Sequence, residues 1–213
     1  HSRNSWREFY APLKAGPENP PAETSKADIL QLAQTNFEEV SQLLNSYIVT
    51  TYGNGFILVN QQLAHERIIY ERLNAAALGK PIATQRSMFP STLELTPADA
   101  AILEELIPDL GELGYQVEPF GKNTFVIQGT PADIETGNEK HVIDILIEQY
   151  KHFNTDLKYS KREKLVRSLA KQQSIKPGTR LTEREMRQLL FELFACQQPN
   201  ISADGNPTYL ELK

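Results

Sequence analysis

Two β-rich runs, Tyr47–Tyr52 and Phe56–Asn60, are separated by Gly53-Asn54-Gly55. Glycine and asparagine tolerate the positive φ that a tight turn between antiparallel strands requires, so this stretch predicts a β-hairpin. Immediately afterwards, Leu63 to Leu78 spaces Leu63, Ile68, Ile69, Leu73, Ala76 and Ala77 for one buried helix face. Gly79-Lys80-Pro81 supplies the stop. The folded part of the chain therefore starts β-β-α, and a further helix is read before it over Asp28–Leu44.

The same logic carries through the middle and the end. Ile82–Leu95 reads extended, interrupted by Pro90. Thr96-Pro97-Ala98-Asp99 then opens a helix with a capping hydroxyl, a proline at the first helical position and an acid in the first turn. Its apolar face is Ile102, Leu103, Leu106, Leu110 and Leu113. Tyr115–Phe120 and Thr124–Gln128, around Gly121-Lys122-Asn123, form a second hairpin, and a helix runs from about Glu139 to Tyr150. Ser160-Lys161-Arg162-Glu163 and Thr182-Glu183-Arg184-Glu185 match the capping box, which predicts two more helices divided by Pro177-Gly178. Pro207–Leu212 returns as a strand. This succession is that of an α+β fold.

Residues 1–26 hold Pro12, Pro17, Pro20 and Pro21 without a sustained apolar period and read as a flexible linker remnant, with Trp6, Phe9 and Tyr10 as a short anchor. A first residue that is His1 and not Met predicts a piece of a longer protein. The 213 residues, 40% apolar and 23% charged, suffice for a sizeable core. No apolar run of about 18 residues and no leader pattern appear, which argues against a membrane partner and for an intracellular location. The lone Cys196 can form neither an internal disulfide nor a thiolate zinc site by itself.

Net charge is −5, against tight sequence-independent wrapping of DNA. Between Lys158 and Arg187, however, ten basic residues face three acids, a local +7. Solvated faces of amphipathic helices are the ordinary explanation. A weak, salt-sensitive DNA contact through Lys161, Arg162, Lys164 and Arg167 is the functional alternative.

The run from Val59 through Asn60-Gln61-Gln62-Leu63-Ala64-His65-Glu66 to Glu71 resembles the C-terminal domain of the DNA mismatch-repair protein MutL. In nicking members the motif is Asp-Gln-His-Ala, two residues, Glu, four residues, Glu. Here the carboxylates are kept at Glu66 and Glu71, while Asn60, Gln62 and Leu63 stand for the Asp, His and Ala. Ala170-Lys171-Gln172-Gln173-Ser174-Ile175-Lys176 is similar to an Ala-Cys-Lys-x-Ser-Ile-Lys segment, with Lys171 for the metal-binding Cys. Ser202-Ala203-Asp204-Gly205-Asn206-Pro207-Thr208 is similar to Cys-Pro-His-Gly-Arg-Pro-Thr, with Ser202 and Asp204 for the Cys and His. A register with Cys196 at the Cys position matches poorly at Gln197, Gln198 and Pro199.

The resemblance spans roughly residues 36–213 and implies a two-lobed α/β sandwich. A dimerisation lobe is formed by both chain ends, 27–95 and 161–213, and an external, regulatory lobe (96–160) is inserted between them. It also implies a bacterial cytoplasmic, nucleoid-associated protein whose ATP site lies in another domain, so that this domain needs no cofactor. The substitutions imply a degenerate metal site: amides at Asn60 and Gln62 are poor ligands, Ser202 is weak, and an ammonium at Lys171 opposes a dication. Lys171 is expected to replace the cation by pairing with Glu66; the ordinary explanation has Glu66 and Glu71 as solvated charges beside Arg67 and Arg72. Either way no catalytic residue and no metal is expected. His65 is assigned no role, and no other catalytic motif is present.

Gln85-Arg86-Ser87-Met88-Phe89-Pro90 looks like the short peptides by which mismatch-repair proteins engage the replicative sliding clamp. Gln85 would supply paired hydrogen bonds, Met88 and Phe89 apolar anchors, and Pro90 an extended backbone, with Ser87 between them. The alternative is that Met88 and Phe89 fill the junction between lobes. The reading as a whole is a homodimerisation module, its partners being a second copy of itself, the clamp and other mismatch-repair proteins. Its interface is expected from Ile48, Phe56 and Leu58 with Leu189, Leu190 and Phe194 of a C-terminal helix. A rival from another class is a metal-dependent nicking endonuclease using Glu66, Glu71, Asp204 and Cys196, and an unrelated interaction domain is a third.

Overall fold

The computed structural model describes residues 37, 39–52, 54–77, 82–132, 139–154 and 159–212. Within them, five helices and two antiparallel sheets give a mixed α+β fold. The linker remnant and its aromatic anchor lie outside the described residues.

The first sheet joins both ends of the described chain. Strands β1 (Val40–Leu43), β2 (Tyr47–Tyr52) and β3 (Gly55–Asn60) lie side by side, and β7 (Tyr209–Leu212) completes the order β1-β2-β3-β7. The helix expected over Asp28–Leu44 is corrected here: its start lies outside the described residues, and Val40–Leu43 is a strand registered with Thr50–Tyr47. Four residues carry too little periodicity to separate strand from helix, and the pairing with β2 decides.

One face of this sheet is buried. Ile48, Ile57, Val59 and Tyr209 pack against α1 (Gln61–Ala77) through Ala64 and against α5 (Glu183–Ala195) through Met186, Leu189, Leu190, Leu193 and Phe194. Phe194 stacks on Phe37 at 5.7 Å and meets Tyr209 edge-on at 5.3 Å. Each such side chain contributes about 1.5–3 kcal/mol on burial.

The second sheet has order β4-β6-β5, from β4 (Thr84–Glu94), β5 (Gln116–Gly121) and β6 (Thr124–Pro131). With α2 (Pro97–Glu112), α3 (Glu139–Asn154) and α4 (Lys161–Gln173) it encloses the larger core, to which α1 adds Ile69, Leu73 and Ala76. Thus α1 serves both cores. Strand β4 hydrogen-bonds to β6, and α4 contributes Leu165, Val166, Leu169 and Ala170 to the larger core.

The caps form as their sequences direct. Thr96 and Ser160 accept the amides of Asp99 and Glu163, and Thr182 with Glu185 makes the full reciprocal box. No helix among the described residues is long and apolar enough to cross a membrane.

Candidate functional site

Asn60 ends β3 and caps α1, its Oδ1 accepting the amide of Leu63 at 3.0 Å. One turn on, Glu66 is 4% exposed. Burial pushes its carboxyl above the usual range and the nearby Asp204 pushes the same way, while Lys171, Arg167 and Arg67 oppose them. Lys171 lies in the last turn of α4, whose end is tied down by the Lys176 ammonium on the carbonyls of Lys171 and Gln172. The fold thus brings Glu66, Lys171 and Asp204 into one neighbourhood.

The loop carrying Asp204 is built by hydrogen bonds. Ser202 is fully buried; its amide donates to Asn206 O at 2.7 Å and its hydroxyl accepts the Asn206 amide at 3.2 Å. Gly205 takes the positive φ of +83° that closes the turn. Two arginines clamp this loop. Arg67 donates to the carbonyls of Ile201 and Ser202 at 2.5 and 2.8 Å, and Arg167 to Ala203 O and to Asp204 Oδ1, the latter at 3.1 Å. Tyr70 lies beneath both guanidiniums, at 5.1 and 5.6 Å, and donates its hydroxyl to Glu163.

These residues do not fit a metal. Asn60 Oδ1 is engaged as a cap, Ser202 closes a turn, and Asp204 faces Arg167. Gln62 is half-buried and offers only a neutral amide, and no group of three or more potential ligands gathers among the described residues. The rival ligand set also comes apart. Glu71 accepts the amides of Gln197 and Gln198 at 2.7 and 3.0 Å, so it holds the turn that follows α5. Burial and Glu71 push the Cys196 thiol up to about 12, and its Sγ points at Glu192 O. His65 has a structural role that the sequence did not signal: its Nδ1 accepts the amide of Ile175 at 3.0 Å, and burial pushes the imidazole below its usual range.

The four residues read as a DNA contact are engaged within the fold. Lys164 and Arg167 are buried, Lys161 pairs with Glu105 and Asp109 of α2, and Arg162 with Glu112. Folding pairs Lys161 and Arg162 with acids fifty or more residues away, which charge counting along the chain cannot register.

Of the six residues read as the dimer interface, Ile48, Leu189, Leu190 and Phe194 are buried in the lobe's own core. Apolar helical spacing marks a buried face without saying whose. Phe56 and Leu58 point the other way. The registers put Ser41, Leu43, Tyr47, Val49, Thr51, Phe56, Leu58, Asn60, Leu210 and Leu212 on one outer face, with no charge among them. Leu43, Phe56, Leu210 and Leu212 are 40–53% exposed. An antiparallel sheet with one buried face ordinarily turns polar residues to water on the other, so this face is built for contact.

Residues 85–90 lie on β4, an edge strand, where pairing with β6 lapses between Arg86 and Ser91. The bulge projects Met88 and Phe89, 89% and 84% exposed, so they do not fill a junction between lobes. Ser87 Oγ accepts the Phe89 amide at 3.3 Å and donates to Phe89 O at 2.9 Å. Gly129 permits the close approach behind it, since a Cβ there would meet Gln85 O at 2.9 Å.

Residues 40–181 match the family described as MutL C terminal dimerisation domain. Among curated proteins, the chain is 32% identical over 173 residues to the DNA mismatch repair protein MutL of Chloroherpeton thalassium, covering 81% of this chain and 27% of that protein. It is 33% identical to those of Chlorobium phaeovibrioides and Chlorobaculum tepidum, covering 82% of this chain and 28% of each relative. The chain therefore spans little more than a quarter of the relatives it matches.

Proposed function

Since this chain belongs to the MutL C-terminal dimerisation domain family of DNA mismatch repair proteins, we propose that it pairs with a second copy of itself through the outer face of the four-stranded sheet. The observation that carries this is the absence of any charge on that face, from Leu43 to Leu212. An isologous contact across such a surface would cover Val49, Phe56, Leu58 and Leu210 in both protomers. A cysteine at the centre of the face tests the surface itself. Leu58→Cys should cross-link two chains under mild oxidation, with Cys196 held protonated and unreactive. A dimer that never cross-links through this position would refute the assignment.

Pairing here would tether the ATP-binding domains of the full-length protein at millimolar effective concentration for suitable linkers, so their closure becomes intramolecular. The domain itself would not nick DNA: the donors of the degenerate site are engaged in caps, turns and ion pairs, and Lys171 supplies positive charge beside Glu66 where a cation would sit. Supercoiled plasmid with Mn²⁺ and clamp should stay uncut, and nicking above a Glu66→Gln control would overturn this.

The exposed bulge at Gln85–Pro90 would dock the sliding clamp, Met88 and Phe89 entering an apolar pocket. Gln85→Ala with Met88→Ala should lose retention on immobilised clamp while still dimerising; unaltered retention would remove the clamp from this site.

A further inference from the structure

We propose that the β1–β2 turn, with Leu44 at its tip, is a preformed anchor for the second copy of this chain; this rests on the dimerisation reading above and names a contact that reading does not require. Leu44 and Asn45 have φ of +53° and +48°, and the Ser46 amide closes the turn on Leu43 O at 3.1 Å. The β-turn Leu43–Ser46, within the three-residue connection from Leu43 to Tyr47, thus has positive φ at both central positions, where Asn and Gly are favoured. Asn45 suits it, whereas leucine is disfavoured at positive φ. The same side chain is 78% exposed. Backbone strain and apolar exposure thus coincide at one residue, and glycine or asparagine would relieve both.

The turn is held firmly in this form. Asn45 O accepts from Gln61 Nε2 at 2.8 Å and from the Gly178 amide at 3.0 Å. Gln61, fully buried, also donates to Thr179 O at 3.0 Å and accepts from Gln42 Nε2 at 2.8 Å. Gln42 in turn accepts the Leu181 amide at 3.1 Å. The buried Gln61 and the half-buried Gln42 therefore bolt the turn to β1, to α1 and to the connection between α4 and α5. A strained residue maintained by such over-determined surroundings points to a function for the strain.

The occupant follows from continuity. Leu43 lies on the outer face in register with Tyr47, so the tip extends the same uncharged surface, and Leu43, Leu44, Asn45 and Ser46 bring no charge of their own. A surface that pairs with itself extends most simply onto its own partner.

Leu44→Gly and Leu44→Asn provide the test, each measured twice. In a chain made monomeric by Leu58→Glu, either change should leave the urea midpoint unchanged or raise it. In the otherwise native chain, sedimentation equilibrium should find dimer dissociation at least tenfold weaker, with Leu44→Met close to wild type. Dissociation within twofold of wild type for Leu44→Gly and Leu44→Asn, while Leu58→Glu still abolishes pairing, would overturn this inference and leave the dimerisation reading intact. A wild-type chain that is monomeric would instead overturn that reading.

Discussion

Asn60 Oδ1 accepts the amide of Leu63 at 3.0 Å, so the residue read from sequence as a degenerate metal-ligand position works as the cap of α1. An amide performs this task as well as a carboxylate. Asn60→Ala should cost about 1 kcal/mol of stability, while Asn60→Asp should stay within about 0.5 kcal/mol of wild type. Urea unfolding measures both. Calorimetric titration with Mn²⁺ should show no binding by Asn60→Asp, because Ser202 and Asp204 remain engaged and Lys171 remains cationic.

Glu71 holds two backbone amides in the turn that follows α5, at 2.7 and 3.0 Å. Hydrogen bonds to a charged acceptor contribute about 1.5–3 kcal/mol each, and some of that is recovered from water when the group is removed. Glu71→Ala should therefore destabilise the fold by roughly 2 kcal/mol. An unchanged unfolding midpoint would mean that this carboxylate is a solvated charge.

Arg167 reaches Glu163 at 2.7 Å and Asp204 at 3.1 Å and lies over the Tyr159 ring at 4.1 Å. Arg167 is buried while Glu163 and Asp204 keep some contact with water, so Arg167→Ala should cost roughly 2 kcal/mol. Its effect should appear in unfolding and not in the salt slope of any DNA association. Loss of DNA affinity at unchanged stability would return Arg167 to the surface role its sequence suggested.

How much was legible follows from these cases. The hairpin, the helix caps and the apolar face of α2 were readable because each depends on neighbours within a few residues. That Glu66, Lys171 and Asp204 come close together, far apart as they are in the chain, was expected only from the family resemblance. The neutralisation of Lys161 and Arg162 by α2 acids was not, nor was the choice of which apolar residues face the core, since β2 and α5 are apolar on faces that only the tertiary pairing assigns. Leu44 escaped notice for a related reason: leucine carries no turn signal, and the bolt that holds it joins Gln42, Gln61 and Thr179, far apart in the chain.

The Cys196 thiol, pushed up to about 12 by burial and by Glu71, binds its proton more tightly folded than unfolded. Its contribution to stability is therefore complete below the ordinary thiol value and declines as pH rises from about 9 towards 12. At pH 8 a thiol reagent should label the folded chain far more slowly than the urea-unfolded chain. Equal rates would mean an accessible thiolate.

The central claim is that this domain acts by joining two chains across the uncharged outer face of one sheet. Sedimentation equilibrium of the intact chain at micromolar concentration tests it most directly. Wild type should run at twice the monomer mass and Leu58→Glu at the monomer mass, with matching circular dichroism. A wild-type chain that stays monomeric, or a Leu58→Glu chain as dimeric as wild type, would contradict it.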